Sequence, residues 1–451
     1  MHYSYNHHHH HSRRPGQQPD RQRAAILAQV EELKARVRSH ADRRDEDFRV
    51  GVEIEVCLLD GKGRPVDASP VIDELNRKSK HHSVEHEYGR SQLEFRTEPV
   101  SMGEIEALNA QFEDFIEHLA RALAKVHGPA STPVFLGANP SPYVFGTAGG
   151  VSSSGGQEAM MAMITDKPRY MQLARWQAGM PDIEMDGQKF KALHVATAIQ
   201  GFHMHLQGRN PGFTAAMFNH ILNLIPSVIL LGANSRLFAG RVFSLHEPRI
   251  FMYDQSEQQN SGFPGIARYL AGVEDYIDYI VSREPVIARD YFELVKERHD
   301  DARIRLNTGQ YRVETRVMSV QPTPATMMAM IEFFIGYLHR AVHAEERTLR
   351  PLAALREERQ SVVRSGFNAR THFNVVESAK GQVSAARKGL SDLGIKARFL
   401  GILERRIENR NTAGEHVARL WQSRFNGDVE QTLAEVVADV WDKTKNNRPI
   451  S

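Results

Sequence analysis

The segment Gly51-Val52-Glu53-Ile54-Glu55-Val56 alternates acids with β-branched residues, and no other stretch constrains the fold as strongly. Strand side chains repeat every two residues, so Glu53 and Glu55 share one face while Val52, Ile54 and Val56 share the other. Two carboxylates that close repel unless a proton or a cation lies between them. An ordinary core strand would not favour this arrangement. The economical reading is a divalent-metal site built on a sheet.

The rest of the chain is consistent with that reading. Its 451 residues can bury a large core. It is 41% hydrophobic and 25% charged, with a formal net charge of +2, too near neutral to announce a nucleic-acid or membrane partner. Apolar stretches such as 225–233 and 327–338 are too short or too interrupted to span a bilayer. The single cysteine, Cys57, excludes an intramolecular disulfide and any multi-cysteine metal centre. No secretory signal is read, so the expected location is cytoplasmic.

Residues 1–20 contain a five-histidine run, His7 to His11, and read as a disordered expression tag or natural tail outside the fold. Ile26, Leu27, Val30, Leu33 and Val37 then recur at helical spacing. Val84 to Thr97 reads as a hairpin around Tyr88-Gly89-Arg90, and a Ser101 to Glu104 capping box opens a helix over 103–126. The Gly-Ser-rich stretch Gly146 to Gly156 lacks the ending of a P-loop and is a loop, either mobile near the site or plain surface. Val195 to Gln207 and Gly309 to Val320 read as strands. Pro324 starts a Met-rich and aromatic helix to about Arg347, whose Met327, Met328, Met330, Phe333, Phe334 and Tyr337 are core. From Leu352 onward the pattern is helical, with a Thr412 to Glu415 capping box. The expected organisation is a catalytic domain over 21–350 with a helical C-terminal region, 351–451, packed on it. That region also offers a surface for a homo-oligomer.

Three further segments carry ionisable residues to the Glu53 face. In Glu87 to Glu94 a turn separates two carboxylates, which can face each other across a hairpin. His203 and His205 alternate with apolar residues, and Glu314 lies between Arg312 and Arg316. Each motif alone is ordinary on a solvated strand. Together they form an oxygen-rich cluster suited to Mg²⁺ or Mn²⁺, with arginines nearby, as phosphoryl transfer from a nucleotide requires.

The order Gly51-x-Glu53-x-Glu55, Glu87-x6-Glu94 with Gln92-Leu93-Glu94-x-x-Thr97, Gly201-x-His203-x-His205, and Glu314-x-Arg316 followed by Gln321-Pro322-Thr323-Pro324 resembles the glutamate–cysteine ligase family, in its bacterial carboxylate–amine ligase branch. Pro168-Arg169-Tyr170, Ala233-Asn234-Ser235 through Arg249, and Asn411 to Glu415 extend the likeness over about 48–430. The resemblance implies an α+β fold of glutamine-synthetase-like type, in which a curved antiparallel sheet covered by helices cups divalent metals and ATP. It implies Glu53, Glu55, Glu87, Glu94, His203 and Glu314 as metal ligands. Arg316 is then the phosphate- or substrate-contacting arginine, with Glu314 beside it in the catalytic set. Arg241 and Arg249 fall where the family has basic residues near nucleotide and substrate. His205 is expected beside the ligands rather than among them. Ser319 stands where relatives usually carry an aspartate, and Ser235-Arg236-Leu237-Phe238 where many carry Ser-Pro-Phe, changes that bear on the substrate pocket.

The implied activity is an ATP-dependent carboxylate–amine ligase that forms an amide, including a γ-glutamyl bond, through an acyl phosphate. Its partners would be a small carboxylate, such as an amino acid, and an amine. Glutamate–cysteine ligase proper is one alternative. Another is a phosphotransferase of related fold, which would need a reactive cysteine; Cys57 reads instead as a packing residue. A binding-only descendant and a two-metal hydrolase complete the alternatives.

Overall fold

The computed structural model describes residues 19–44, 48–78, 83–145, 163–307, 309–343 and 349–451. The histidine run and the Gly146 to Gly156 stretch lie outside the described residues. The architecture is α+β, centred on an eight-stranded sheet. Its strands are β1 (Arg49–Leu59), β2 (Ser83–His86), β3 (Gln92–Arg96), β4 (Val100–Ser101), β5 (Thr132–Val134), β6 (Gly201–Gly208), β7 (Ala302–Asn307) and β8 (Gln310–Ser319). They run in the order β7-β8-β6-β1-β3-β2, with β4 and β5 pairing to the two ends of β1. Every pairing in this sheet is antiparallel.

The period of two sorts the sheet into an apolar and a charged face. Val50, Val52, Ile54 and Val56 of β1 are buried beside Phe202, Met204 and Leu206 of β6 and Leu93 and Phe95 of β3. Helices α1 (Ala107–His127), α2 (Pro211–Gly232) and α3 (Pro324–His343) bury their apolar residues in the same core. Phe95 stacks on Phe115 of α1 at 4.1 Å between ring centroids. Helix α2 is long and apolar enough to cross a membrane, but 89% of its apolar window is buried inside the protein, as in a core helix. Its length therefore follows from covering the sheet.

The Met-rich helix behaves as its pattern predicts, with Met327, Met328, Met330, Phe333, Phe334 and Tyr337 all buried. Its closest packing contact is between backbones: Gly336 meets Gly389 of α4 (Val375–Asp392) so closely that a Cβ on Gly389 would lie 1.8 Å from the Gly336 carbonyl oxygen. Only glycine permits backbones this near. Further C-terminal helices, among them Leu352–Ser365 and Val429–Lys445, pack on α2 and β5. Thr412 caps its helix as expected, accepting from the Glu415 amide at 3.2 Å.

Several local expectations are corrected. Ser101 makes no capping hydrogen bond; it precedes a short 3₁₀ turn, Met102–Glu104, and α1 begins only at Ala107. The stretch read as one strand from Val195 divides into a helix, Ala192–Ala198, and β6, because Ala-rich sequence near its start sustains a helical turn. Leu27 is 47% exposed, while Ile26, Val30, Leu33 and Val37 form the buried stripe. The helix from Pro324 is described to His343, and 344–347 lie outside the described residues.

Glu332 of α3 is buried, and one of its oxygens accepts from the Phe399 and Leu400 amides at 2.9 and 2.8 Å. Burial pushes its pKa up to about 7 despite these donors. A folded-state pKa above the unfolded value means that the native state holds the extra proton, so stability falls as pH rises from about 4.5 to about 7. Glu332→Gln mimics the protonated form and keeps the accepting oxygen. Its melting temperature should match wild type near pH 4.5 and exceed it by about 2 °C or more at pH 8; scanning calorimetry across this range checks the prediction, and an unchanged difference would refute it.

Candidate active site

The other face of the sheet is charged from edge to edge. Cross-strand register sets Glu53 between His203 and Arg96, Glu55 opposite Glu94, Glu314 opposite both His205 and Arg303, and Glu85 opposite Glu94. The face forms the floor of a cavity of about 470 Å³. Two helices supply its walls: Pro168–Gln177 contributes Arg169, Tyr170 and Gln177, and α5 (Pro248–Glu257) contributes Arg249, Tyr253 and Glu257. A break in register between Thr315 and Met318 follows Glu314 in β8. Such bulges re-aim side chains, and Arg316 in this segment turns back to Glu314 at 2.6 Å.

Acids and imidazoles occupy one end. Glu53, His205 and Glu314 each offer a ligand atom within 4.8 Å of the others. His205 Nε2 lies 2.9 Å from Glu53 Oε1, and His203 bridges Glu53 at 3.6 Å and Glu55 at 3.4 Å. Burial opposes ionisation of Glu53, but His205 and His203 outweigh it and hold the carboxyl well below its usual range. Burial likewise opposes Glu314, and Arg303, His205 and Arg316 overcome it. Glu55, Glu87 and Glu94 go the other way: burial raises all three, with Glu55 and Glu94 adding to the rise at Glu87 and Glu53 adding to it at Glu94. Burial, then Arg316, lowers His203.

Cations crowd in beside Glu314. Arg303 holds Glu314 through two nitrogens, at 3.0 and 3.2 Å, beside Arg305, Lys296 and Arg169. Burial, then neighbouring cations, lowers Arg169 and Lys296, and Arg305 falls to about 10 for the same reasons. The cavity thus holds carboxyls raised by burial, Glu55, Glu87 and Glu94, together with cations lowered by burial and by one another, Arg169, Lys296 and Arg305.

The residues present suit a divalent metal. His203 Nδ1 and both ring nitrogens of His205 are buried without a hydrogen-bond partner; the 2.9 Å approach to Glu53 lacks hydrogen-bond geometry. Buried polar atoms left this way favour a ligand. Carboxylates mixed with neutral imidazole match Mg²⁺ or Mn²⁺.

Of the residues singled out in the sequence, Glu53, Glu55, Glu87, Glu94, His203, Arg249, Glu314 and Arg316 all line this cavity. Arg241 does not: it is exposed on a two-stranded ribbon, Leu237–Phe238 with Arg241–Val242. His205 enters the closest acid–imidazole group instead of standing beside it. Cys57 is fully buried, its thiol pushed up to about 12 by desolvation, as a packing residue should be.

Sequence reasoning missed Arg303, Arg305, Lys296, Tyr253 and Glu257, although the alternation of Arg303 with Ile304 and Arg305 was a readable signal. It also missed Glu247. This buried carboxyl receives the Ser235 hydroxyl, the Ser319 hydroxyl at 3.0 Å and the Asn234 amide at 3.3 Å. Burial raises it to about 7 against those donors and Arg249. Ser319 and Ser235 therefore sit behind the cavity wall, bracing the start of α5. Gly201 serves the same corner: a Cβ there would lie 2.6 Å from Arg249 Nη2 and 2.8 Å from His203 Nε2.

The sequence matches the family described as Glutamate-cysteine ligase family 2 over residues 49–437. No curated protein matches it significantly. Among solved structures it is similar to a bifunctional glutathione synthetase from Pasteurella multocida, with 14% identity, a TM-score of 0.58, and coverage of 93% of this chain and 54% of that one. The chain thus spans about half of that enzyme's length. It is also similar to a glutamate–cysteine ligase from Francisella tularensis solved with AMP, with 11% identity, a TM-score of 0.59, and coverage of 89% and 90%. At these identities the likeness is one of fold.

Mn²⁺ binding followed by electron paramagnetic resonance should tighten as pH rises, because Glu55, Glu87 and Glu94 must shed protons to ligate. Glu53→Gln should weaken it by about tenfold or more. Affinity that is flat with pH and unchanged in the variant would rule out the cluster as a metal site.

Proposed function

The chain belongs to Glutamate-cysteine ligase family 2; we propose that it is an ATP-dependent carbon–nitrogen ligase that activates a small carboxylate, such as an amino acid, as an acyl phosphate and passes the acyl group to an amine. The observation that carries this reading is the mixture of charges in the cavity. Buried acids and a crowd of cations meet in one space of about 470 Å³, and a metal–nucleotide complex complements both sets of groups at once. A lone metal would leave the cations unsatisfied, and a lone carboxylic acid would leave the acids protonated.

The chemistry has a definite order. A carboxylate does not acylate an amine at neutral pH, because oxide is too poor a leaving group. Attack of a carboxylate oxygen on the γ-phosphorus forms a new P–O bond and breaks the bond to the bridging oxygen, yielding ADP. The amine nitrogen then adds to the acyl carbon, phosphate departs with the C–O electron pair, and the nitrogen loses its proton. A divalent ion held by Glu53, Glu55, Glu87, Glu94, His203 and Glu314, with His205 adjoining, would neutralise phosphate oxygens.

The chain's own cations do the rest. Arg316 is half-buried and fixed by Glu314 at 2.6 Å, so its guanidinium is oriented before substrate arrives. It is the leading candidate to stabilise the phosphoryl group in transit. Arg303, Arg305, Lys296 and Arg169 extend the positive surface toward the remaining phosphates. Arg249, whose guanidinium donates to the carbonyls of Val317 and Arg316 at 3.1 and 3.3 Å, is fixed against β8 where the acid or nucleotide would sit. All the cavity residues fall between 53 and 316, which supports a catalytic unit over 21–350 buttressed by the helical region 351–451.

ADP release should require one acid and one amine together. Arg316→Gln should lower that rate by about a thousandfold while nucleotide still binds. ADP formed with the acid alone, leaving a stable phosphorylated product, would overturn the ligase assignment in favour of simple phosphoryl transfer.

A further inference from the structure

A second cavity, of about 220 Å³, opens beside the far end of α5, away from the acid–imidazole cluster, and four arginines line it: Arg283, Arg298, Arg356 and Arg359. The chemistry above uses none of them. Arg359 is fully engaged, reaching Asp254 at 2.6 and 3.0 Å and Asp301 at 2.7 and 2.8 Å. Buried Arg298 meets Asp300 at 2.8 Å, yet its Nε has no partner.

Arg283 and Arg356 differ from these. Arg283 lies 4.9 Å from the Tyr279 ring centroid and 3.3 Å from its hydroxyl. Arg356 lies 5.3 Å from the Phe263 ring centroid and donates to the Pro264 and Ile266 carbonyls at 3.1 and 2.6 Å. Among the described residues, neither has a carboxylate within ion-pair distance. Four guanidinium groups against Asp254, Asp300 and Asp301 leave one positive charge in excess. The two unopposed groups are held by aromatic faces, carbonyls and a hydroxyl, which orient a cation without neutralising it.

The cavity is also built from constrained backbone. Gln258, on its wall, adopts φ 53° and ψ −120°, a conformation that costs an ordinary residue free energy and that clusters at ligand sites. The buried Tyr279 hydroxyl ties the parts together, accepting from the Gly265 amide at 3.0 Å and contacting Asp300 at 2.8 Å and Arg298 at 3.4 Å.

We propose that this cavity binds a small oxyanion, a phosphate or a carboxylate, at a site separate from the catalytic one. Its fork-shaped donors match the paired oxygens of either group, and its volume is too small for a nucleotide to be enclosed. The site adjoins catalysis through α5, which carries Asp254 to this cavity and Arg249 to the other.

Thermal unfolding of the full chain with inorganic phosphate or succinate, against chloride at equal ionic strength, tests the proposal without any turnover. One of the two should stabilise wild type and Arg316→Gln saturably, and which one does so identifies the group. Its apparent affinity should fall at least about tenfold in Arg283→Gln/Arg356→Gln. Gln360→Glu, an exposed position on the cavity wall, puts an acid there with little risk to folding and should abolish the effect. Stabilisation lost in Arg316→Gln but kept in the other variants would assign the anion to the catalytic cavity and overturn the proposal, as would the absence of any effect beyond chloride.

Discussion

Burying like charges on one face of a sheet is the constraint from which the rest of this structure follows. Glu53 and Glu55 on β1 and Glu314 on β8, two strands separated by β6, direct their acids to the same side and are largely withdrawn from water. Such a face is tolerable only if each charge finds a counter-charge, a proton or a metal. The first two solutions are visible. Glu314 takes arginines, Glu53 takes imidazoles, and Glu87 shares its neighbourhood with Glu55 and Glu94 at the expense of ionisation. The apolar face then has to carry stability for both sides, which accounts for the three long helices buried against one core.

Rigidity around the cavity is obtained from behind. The Glu247 group, with Ser235, Ser319 and the Asn234 amide, lies below the start of α5, and the Ser235 hydroxyl also accepts from the Arg249 amide at 3.0 Å. A buried network whose members are satisfied specifies position strongly, because any shift leaves an unpaired polar group. Gly201 removes the side chain that would otherwise separate Arg249 from His203. The wall and the floor of the cavity are thereby fixed to each other within one hydrogen-bonded corner.

What the sequence revealed was whatever repeats locally, every two residues in a strand and every three to four in a helix. The β1, β3, β6 and β8 assignments, the shared face of Glu53, Glu55, His203 and Glu314, and the core stripe of α3 all come from local repetition. What it concealed depended on distance. Arg241 and Arg249 are eight positions apart and equally basic, yet one is on an exposed ribbon and the other is buried against β8, a difference made by tertiary packing alone. His205 shows the same limit more finely. Parity placed it on the right face, but only the assembled sheet, with His205 opposite Glu314 and its Nε2 2.9 Å from Glu53, shows that it meets two acids. Ser319 drew attention as a departure in the pocket, and the fold instead uses it as a donor to Glu247.

The arrangement also bears on why arginines rather than lysines dominate the cations of the cavity. Glu314 accepts from two nitrogens of Arg303 while Arg316 takes the inner oxygen at 2.6 Å. Planar forks can share one carboxylate in this way, whereas ammonium groups at the same distances would compete as point charges and lose protons to their mutual repulsion. Lys296, near Arg169, Arg303 and Arg305, is already lowered by burial and by those neighbours. A cavity that must stay strongly positive before its anion arrives needs groups that cannot discharge by deprotonation, and guanidinium meets that need. The acids opposite have the reverse property: their protons leave readily once a metal competes for the same oxygens. Selective filling of the cavity then follows from proton chemistry as well as from shape.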